Sequence, residues 1–528
     1  MAKLAILLCD ADPGREETLL AHTLNFFGVP WKFVSVSSFS EIYEKGEDQA
    51  VFGSATSIAA VIQQEGMTAR CLERSTVFYA YSDRNRMAAQ RGITQLLQDS
   101  RATLRDAPEE TVSVEVSSRS GIKTGPMAGI RTNLRMRRED AILAGLEELE
   151  TRIDPIISAG GAPIYLKFQR SGIPIFLCAS SYAIDIDQEI ETGYYDIKEH
   201  FCSAVPLLIF IRLMFEEVAW HPQELGACLI IDDPLLQKRY GCCDFEQIRK
   251  LMHDLEFSTN IAFIPWNWWR TSRAAGDLFD KGSGPFSVSI HGCDHVKAEF
   301  GTQSQNIMYG RARVAQTRMQ KHEDRTGIHH ERIMVFPQGV FSSECPEALK
   351  RTEYMAAVNT EISPVVGTEQ STRIRDVWDV AIMKYGDFAI FTRRYAHHGI
   401  ENFAFDLLLG KPCLIVAHHE FFKDGNASMI RLLEGLQARN CSLKWQTLGA
   451  VIRKACRRRS MGLGTEEVQM YGTKLVLLNA REQALKVLIR KKESDTSTVR
   501  EVQCDRVSIQ WHPAHGDLTF DRTVAAKS

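Results

Sequence analysis

The chain has 528 residues, 44% of them hydrophobic and 24% charged, with a formal net charge of -3. This is the composition of a multidomain globular protein, and it supplies no bulk attraction to nucleic acid or to an anionic membrane. The thirteen scattered cysteines include no CxxC pair, which excludes a disulfide framework and reads as free thiols in a reducing, cytoplasmic setting. The opening "MAKLAILLCDADPG" is too short an apolar run for a signal peptide, and Asp10 interrupts it.

Residues 1–110 alternate between strand and helix patterns: "KLAILL", then "GREETLLAHTLNFFG", "KFVSVS", "TSIAAVIQQ" and "TVFYAY". They predict an α/β domain of flavodoxin or Rossmann type, without a GxGxxG or P-loop pattern. Asp10 and Asp12 end its first strand, either as a site or as caps of the next helix. Residues 111–220 are β-rich, with "TVSVEVSS" and "PIYLKFQRSGIPIFLCASS", the latter turning at Arg170-Ser171-Gly172. A connecting helix, "AVPLLIFIRLMFEEVAW", follows; its apolar run of about a dozen residues contains Arg212 and is too short to cross a bilayer.

Residues 221–460 are the most regular. Apolar runs recur at Ala227–Ile231, Asn260–Ile264, Phe286–Ile290, Ile333–Phe336, Met355–Val358, Phe388–Phe391 and Cys413–Ala417, mostly with helical patterns between them. That alternation predicts a parallel sheet, and seven strands favour closure into a barrel with its chemistry at the C-terminal strand ends. The helix "TLGAVIRKACRRR" leads to residues 461–528, where "KLVLLN", "ALKVLIRK", "VREVQCD" and "VSIQWH" predict a small antiparallel β domain. Arg457, Arg458 and Arg459 read as a solvated helix end favoured by the dipole, not as a nucleic-acid site.

Polar residues collect at the ends of the barrel strands. The first run ends "LIIDDP" with Asp232 and Asp233, and the third ends "HGCDH" with His291 and His295. The fourth ends "VFPQG" with Pro337, Gln338 and Gly339, and the last ends "LIVAHHEFF" with His418 and His419. A four-residue spacing places two imidazoles on one face of a helix, within reach of one cation. One carboxylate completes a three-ligand set with open positions, and Asp233 is the natural third ligand. Asp232 then points elsewhere and is free to accept a proton.

The four motifs, in this order, resemble those of the polysaccharide deacetylase superfamily (NodB-like, carbohydrate esterase family 4) over roughly residues 225–440. The resemblance implies a divergent member: a distorted (β/α)7-type barrel that removes an acetyl group from a sugar or glycan precursor. It makes Asp232 the catalytic base, Asp233, His291 and His295 the metal ligands, and His418 (or His419) the general acid. The ion is a divalent metal, Zn2+ first, with Co2+, Ni2+, Fe2+ and Mn2+ as alternatives. The arginine that usually stands two residues before the motif proline is replaced by Val335, so the base lacks its usual partner. Gln338 stands where an aromatic is common, and its backbone N–H serves the oxyanion. In "RDVWDV", Asp376 or Asp379 orients the acid histidine. Trp266, Trp268 and Arg270 of "IPWNWWR", with Pro337 and His419, are expected at the substrate, and His329, His330, His397 and His398 at the surface. Two other readings stay open: a non-sugar, allantoinase-like C–N hydrolase on the same scaffold, and a catalytically decayed carbohydrate-binding protein.

Overall fold

The computed structural model describes residues 2–42, 49–119, 121–149, 151–279, 286–302, 304–366, 371–439, 441–462 and 464–527. The chain divides into two compact units, one of residues 1–188 with 196–220, the other of residues 189–195 with 221–528. No helix among the described residues is long and apolar enough to cross a membrane, and the cysteines are free.

The first unit is built on one nine-stranded sheet. Four parallel strands, Leu4–Cys9, Trp31–Ser35, Gln49–Ser54 and Val77–Tyr81, form one half. The hairpin Ala162–Arg170 and Ile173–Cys178 turns at Ser171 and Gly172, both at positive φ, as "RSG" predicts. Its second strand joins the parallel half beside Val77–Tyr81, so the segments 1–110 and 111–220 share a sheet. The connecting helix is Phe201–Met214, buried along most of its length.

The second unit carries the barrel. Its strands are β1 (Leu225–Asp232), β2 (Thr259–Phe263), β3 (Phe286–His291), β4 (Ile333–Val335), β5 (Ala356–Asn359), β6 (Ile390–Thr392), β7 (Arg394–Tyr395) and β8 (Cys413–Ala417). The pairings run β6-β5-β4-β3-β2-β1-β8-β7, all parallel. Only Arg393 separates β6 from β7, so residues 390–395 form one broken stave that pairs with β5 on one side and β8 on the other. The seven expected runs are thus the seven staves of a nearly closed, distorted barrel. Their near-continuous apolar sequences follow from burial on both faces; Leu229, Ile230, Ile261, Val288, Ile290, Val358 and Ile415 are all at most 1% exposed.

After the barrel, the helix is Leu448–Lys454, and it ends before the arginines. Arg457, Arg458 and Arg459 lie on the strand Cys456–Gly462, not on a helix end. The reason is the antiparallel neighbour Thr465–Met470, whose Glu466 and Glu467 pair with Arg458 and Arg459 across the ladder at 2.6 Å each. The C-terminal sheet adds Leu485–Lys492 and Asp517–Val524, and one of its pairings, Thr465–Met470 with Leu485–Lys492, is parallel. "KLVLLN" forms no strand.

One buried histidine of this unit sets a pH dependence. His322, on the helix Gln305–Thr326, is 0% exposed, lies 2.7 Å from the Thr271 hydroxyl and packs against Phe263. Burial, with Arg325 and His330 adding to it, pushes its pKa down to about 4. The unfolded chain therefore binds this proton at higher pH than the folded one. Stability from this group is complete above the unfolded value near 6.5 and is lost as pH falls toward 4, by about 3 kcal/mol. Urea unfolding at pH 7.5 and 4.5 should show that loss in the natural chain and a smaller one in His322→Gln; equal losses in both would refute it.

Candidate metal and catalytic site

The strand registers bring the motif residues to one rim. Ile231 pairs with Ala417, so His418, the next residue after β8, stands at the level of Asp232. Asp232 pairs with Ala262 of β2, Phe263 with Ile290 of β3, and His291 with Val335 of β4.

Asp233, His291 and His295 converge. The Asp233 Oδ1 lies 2.9 Å from His291 Nε2 and 3.0 Å from His295 Nε2, and one ligand atom from each residue falls within 4.8 Å of the others. The helical presentation expected for the two histidines is not what joins them. His291 is the last residue of β3, and His295 follows a tight turn in which Gly292 (φ 65°) and His295 itself (φ 59°) are left-handed. A Cβ at Gly292 would fall 1.9 Å from Glu299 and 2.4 Å from Pro337, so the turn requires glycine. Asp233 is also left-handed, at φ 75°, which takes its side chain off the strand.

These three residues fit a divalent cation. Oδ1 of Asp233 is buried yet has no hydrogen bond of ordinary geometry, despite the two imidazole nitrogens beside it. Donors about 2.1 Å from a shared ion stand roughly 3 to 3.5 Å apart, close to the 2.9 and 3.0 Å from Asp233 to the two imidazoles. Burial alone would raise the Asp233 carboxyl, but the His291 and His295 imidazoles outweigh it and hold it well below the usual carboxylate range. The other ring nitrogen of His291, Nδ1, lies 3.0 Å from the Val335 carbonyl, which fixes the ring. Val335 therefore serves the site through its backbone.

Glu299 holds the histidine turn. It is 2% exposed, and its carboxylate accepts the N–H groups of Cys293 at 2.8 Å and Asp294 at 3.0 Å. Glu299→Ala should release His295 and weaken Zn2+ binding by about 10- to 100-fold, read by calorimetric titration; unchanged affinity would show that the turn holds without it.

Asp232 does not lack an arginine. Arg393 Nη1 and Nη2 donate to Asp232 Oδ1 and Oδ2 at 2.7 Å each, with side chains 2% and 3% exposed. This corrects the expectation drawn from Val335. The partner comes from the break between β6 and β7, 161 residues along the chain, where the interrupted strand turns a side chain to the rim. The Arg393 N–H also donates to the Asn359 carbonyl at 2.9 Å, tying the pair to β5.

His418 is half-buried, its ring 6.0 Å from that of Tyr395 and nearly parallel to it. His419 packs edge-on against Tyr240 at 5.5 Å. Gln338 adopts φ 57° in the short turn Pro337–Gly339, and Pro337 is buried. Asp379 is held elsewhere. Its carboxylate takes the Tyr471 hydroxyl, the Val380 N–H at 2.8 Å and Arg457 at 3.2 Å, and among the described contacts none joins it to His418. Asp376 caps its own helix through the Arg373 N–H at 2.9 Å. Trp266 is 55% exposed beneath Arg318, Trp268 lies against Lys321, and Arg270 lies over Trp269. His397 is exposed as expected, but His398 is half-buried beside Tyr395. His329 and His330 share Glu323. A cavity bounded by His253, Glu256, Gln437 and Trp445 lies beside the strand Leu443–Trp445, which pairs with the start of β1, away from this rim.

No family model and no curated protein matches the chain. Among solved structures, it is similar to carbohydrate esterase family 4 proteins. One is the chitin deacetylase of the fungal pathogen Colletotrichum lindemuthianum, at 12% identity over 44% of this chain and 88% of that one, with a TM-score of 0.27. Another is the esterase domain of a multidomain xylanase from the hindgut metagenome of Trinervitermes trinervoides, at 11% identity over 44% and 91%, TM-score 0.27. A third is a pseudoenzyme of the family from Bacillus anthracis, at 12% identity over 44% and 66%, TM-score 0.27.

Proposed function

We propose that the chain is a metal-dependent hydrolase that removes an acetyl group from an N- or O-acetylated sugar or glycan precursor. The observation that carries this reading is the convergence of Asp233, His291 and His295 on one point, beside a second carboxylate, Asp232, locked in a bidentate pair. A divalent ion at the three ligands supplies Lewis acidity and a more acidic water.

The chain's own groups do the rest. Asp232 accepts the proton of the attacking water, and Arg393 aims that carboxylate. The N–H of Gln338 donates to the oxygen that gains charge. His418 gives a proton to the departing amine or alcohol. The Arg393 pair favours this reading over a decayed binding protein, because the base has its cationic partner. The test is acetate release from a panel of acetylated sugars by the Zn2+-loaded chain. Release that stops when the metal is stripped is the expected result; metal-dependent ring opening of a non-sugar cyclic amide, with no acetate from any sugar, would move the assignment to a C–N hydrolase of the allantoinase-like kind.

A further inference from the structure

Residues Glu189–Tyr195 belong to the barrel unit, although the sequence on either side of them belongs to the other. This strap is fastened along its length. Glu189 bridges to Arg373, and the Ile190 N–H donates to the Thr372 carbonyl at 2.8 Å. The Gly193 carbonyl accepts the Ile362 N–H at 3.0 Å, and the Tyr195 carbonyl accepts Arg394 Nη1 at 2.8 Å. Arg394 is itself buried against Asp406. Tyr195 is buried near Trp378 and Phe405.

Tyr194 does the opposite. It is 40% exposed, and its ring stacks on His398 at 4.7 Å with 3° between the planes. His398 meets Tyr395 edge-on at 5.5 Å, and Tyr395 stacks with His418 at 6.0 Å. A line of rings therefore runs from the strap to the histidine beside Asp232.

Glu361 stands on the same rim, two residues beyond β5. A Cβ at Gly193 would lie 2.1 Å from its Oε2, and one at Gly339 would lie 2.7 Å from its Cγ. The side chain, exposed to solvent, thus lies along the strap and the turn that carries Gln338. Asn359 ties the backbone here, its side chain donating to the Gly339 carbonyl at 2.8 Å and to the Glu361 carbonyl at 2.9 Å. Among the described residues, the Glu361 carboxylate has no hydrogen-bond donor and no ion-pair partner. An exposed, unpaired carboxylate against the strap that carries the Tyr194 ring accepts from hydroxyl or ammonium groups and repels anions.

We infer that the strap is a wall of the substrate site, with Tyr194 packing on a sugar ring and Glu361 selecting sugars that present hydroxyl or amine groups over carboxylated ones. The inference rests on the hydrolase reading for the reaction but not for binding. The test uses the full Zn2+-loaded chain and two probes, a partly N-acetylated chitosan oligosaccharide and an oligogalacturonate. Binding is read by calorimetry, with acetate release followed alongside. The natural chain should bind the chitosan probe at least about 10-fold more tightly than the galacturonate. Tyr194→Ala and Glu361→Gln should each weaken chitosan binding by about 10-fold, and Glu361→Gln should narrow the preference, while Tyr194→Phe, which keeps the ring, binds as the natural chain does. Binding of neither probe, or binding indifferent to both side chains, overturns the inference. Binding that depends on both, without acetate release from any sugar, keeps the wall and removes the hydrolase. Acetate release with indifferent binding does the reverse.

Discussion

Asp232→Asn should reduce acetate release by about 10²- to 10⁴-fold while leaving Zn2+ affinity within a few-fold of the natural value. Its neighbour Asp233 faces the two histidines, whereas Asp232 faces Arg393, so in the proposed reaction the two carboxylates divide binding and proton transfer between them. Asparagine has nearly the same shape and still accepts one guanidinium bond, but it takes no proton at neutral pH. The effect should therefore fall on kcat, with KM little changed. Measuring kcat together with the Zn2+ dissociation constant checks this. A variant with full kcat would exclude Asp232 as the base, and one that loses the metal would make it a ligand.

Arg393→Met should destabilise the barrel unit by about 3–5 kcal/mol. Both members of the pair are nearly fully buried, and methionine leaves the Asp232 carboxylate without its charge partner. Adding Asp232→Asn to that variant should restore a large part of the loss, because the isolated charge is then gone. Urea denaturation of both single variants and the double variant measures this coupling. Simple additivity of the two losses would show that the pair contributes little and that its geometry is incidental.

The barrel staves were legible because parallel strands buried on both faces are written as unbroken apolar runs, and the runs ending at Ile231, Ile290 and Ala417 mark the rim where the polar residues begin. The convergence of the three proposed ligands was legible for the same reason, although the link between His291 and His295 is a glycine-dependent turn and not a helical face. Arg393 was not. It belongs to no motif, and only the register that splits residues 390–395 between β5 and β8 carries it to Asp232. Arg457 to Arg459 misled because a basic run after a helix pattern looks like a helix end; Glu466 and Glu467, the partners of Arg458 and Arg459, sit on a strand that the residue pattern did not announce. The sheet shared across residue 110 depends on Ile173–Cys178 pairing with Val77–Tyr81, a contact between distant segments that local periodicity does not encode. Asp379 sits in "RDVWDV" much as the resemblance implies, but Tyr471 and Arg457, both far along the chain, occupy it.

The most direct test of the account is a calorimetric titration of the metal-stripped chain with Zn2+, for the natural sequence and for His291→Ala. One tight site per chain, weakened at least about 100-fold by the substitution, is the predicted result. No binding, or binding of equal strength in both, would contradict it.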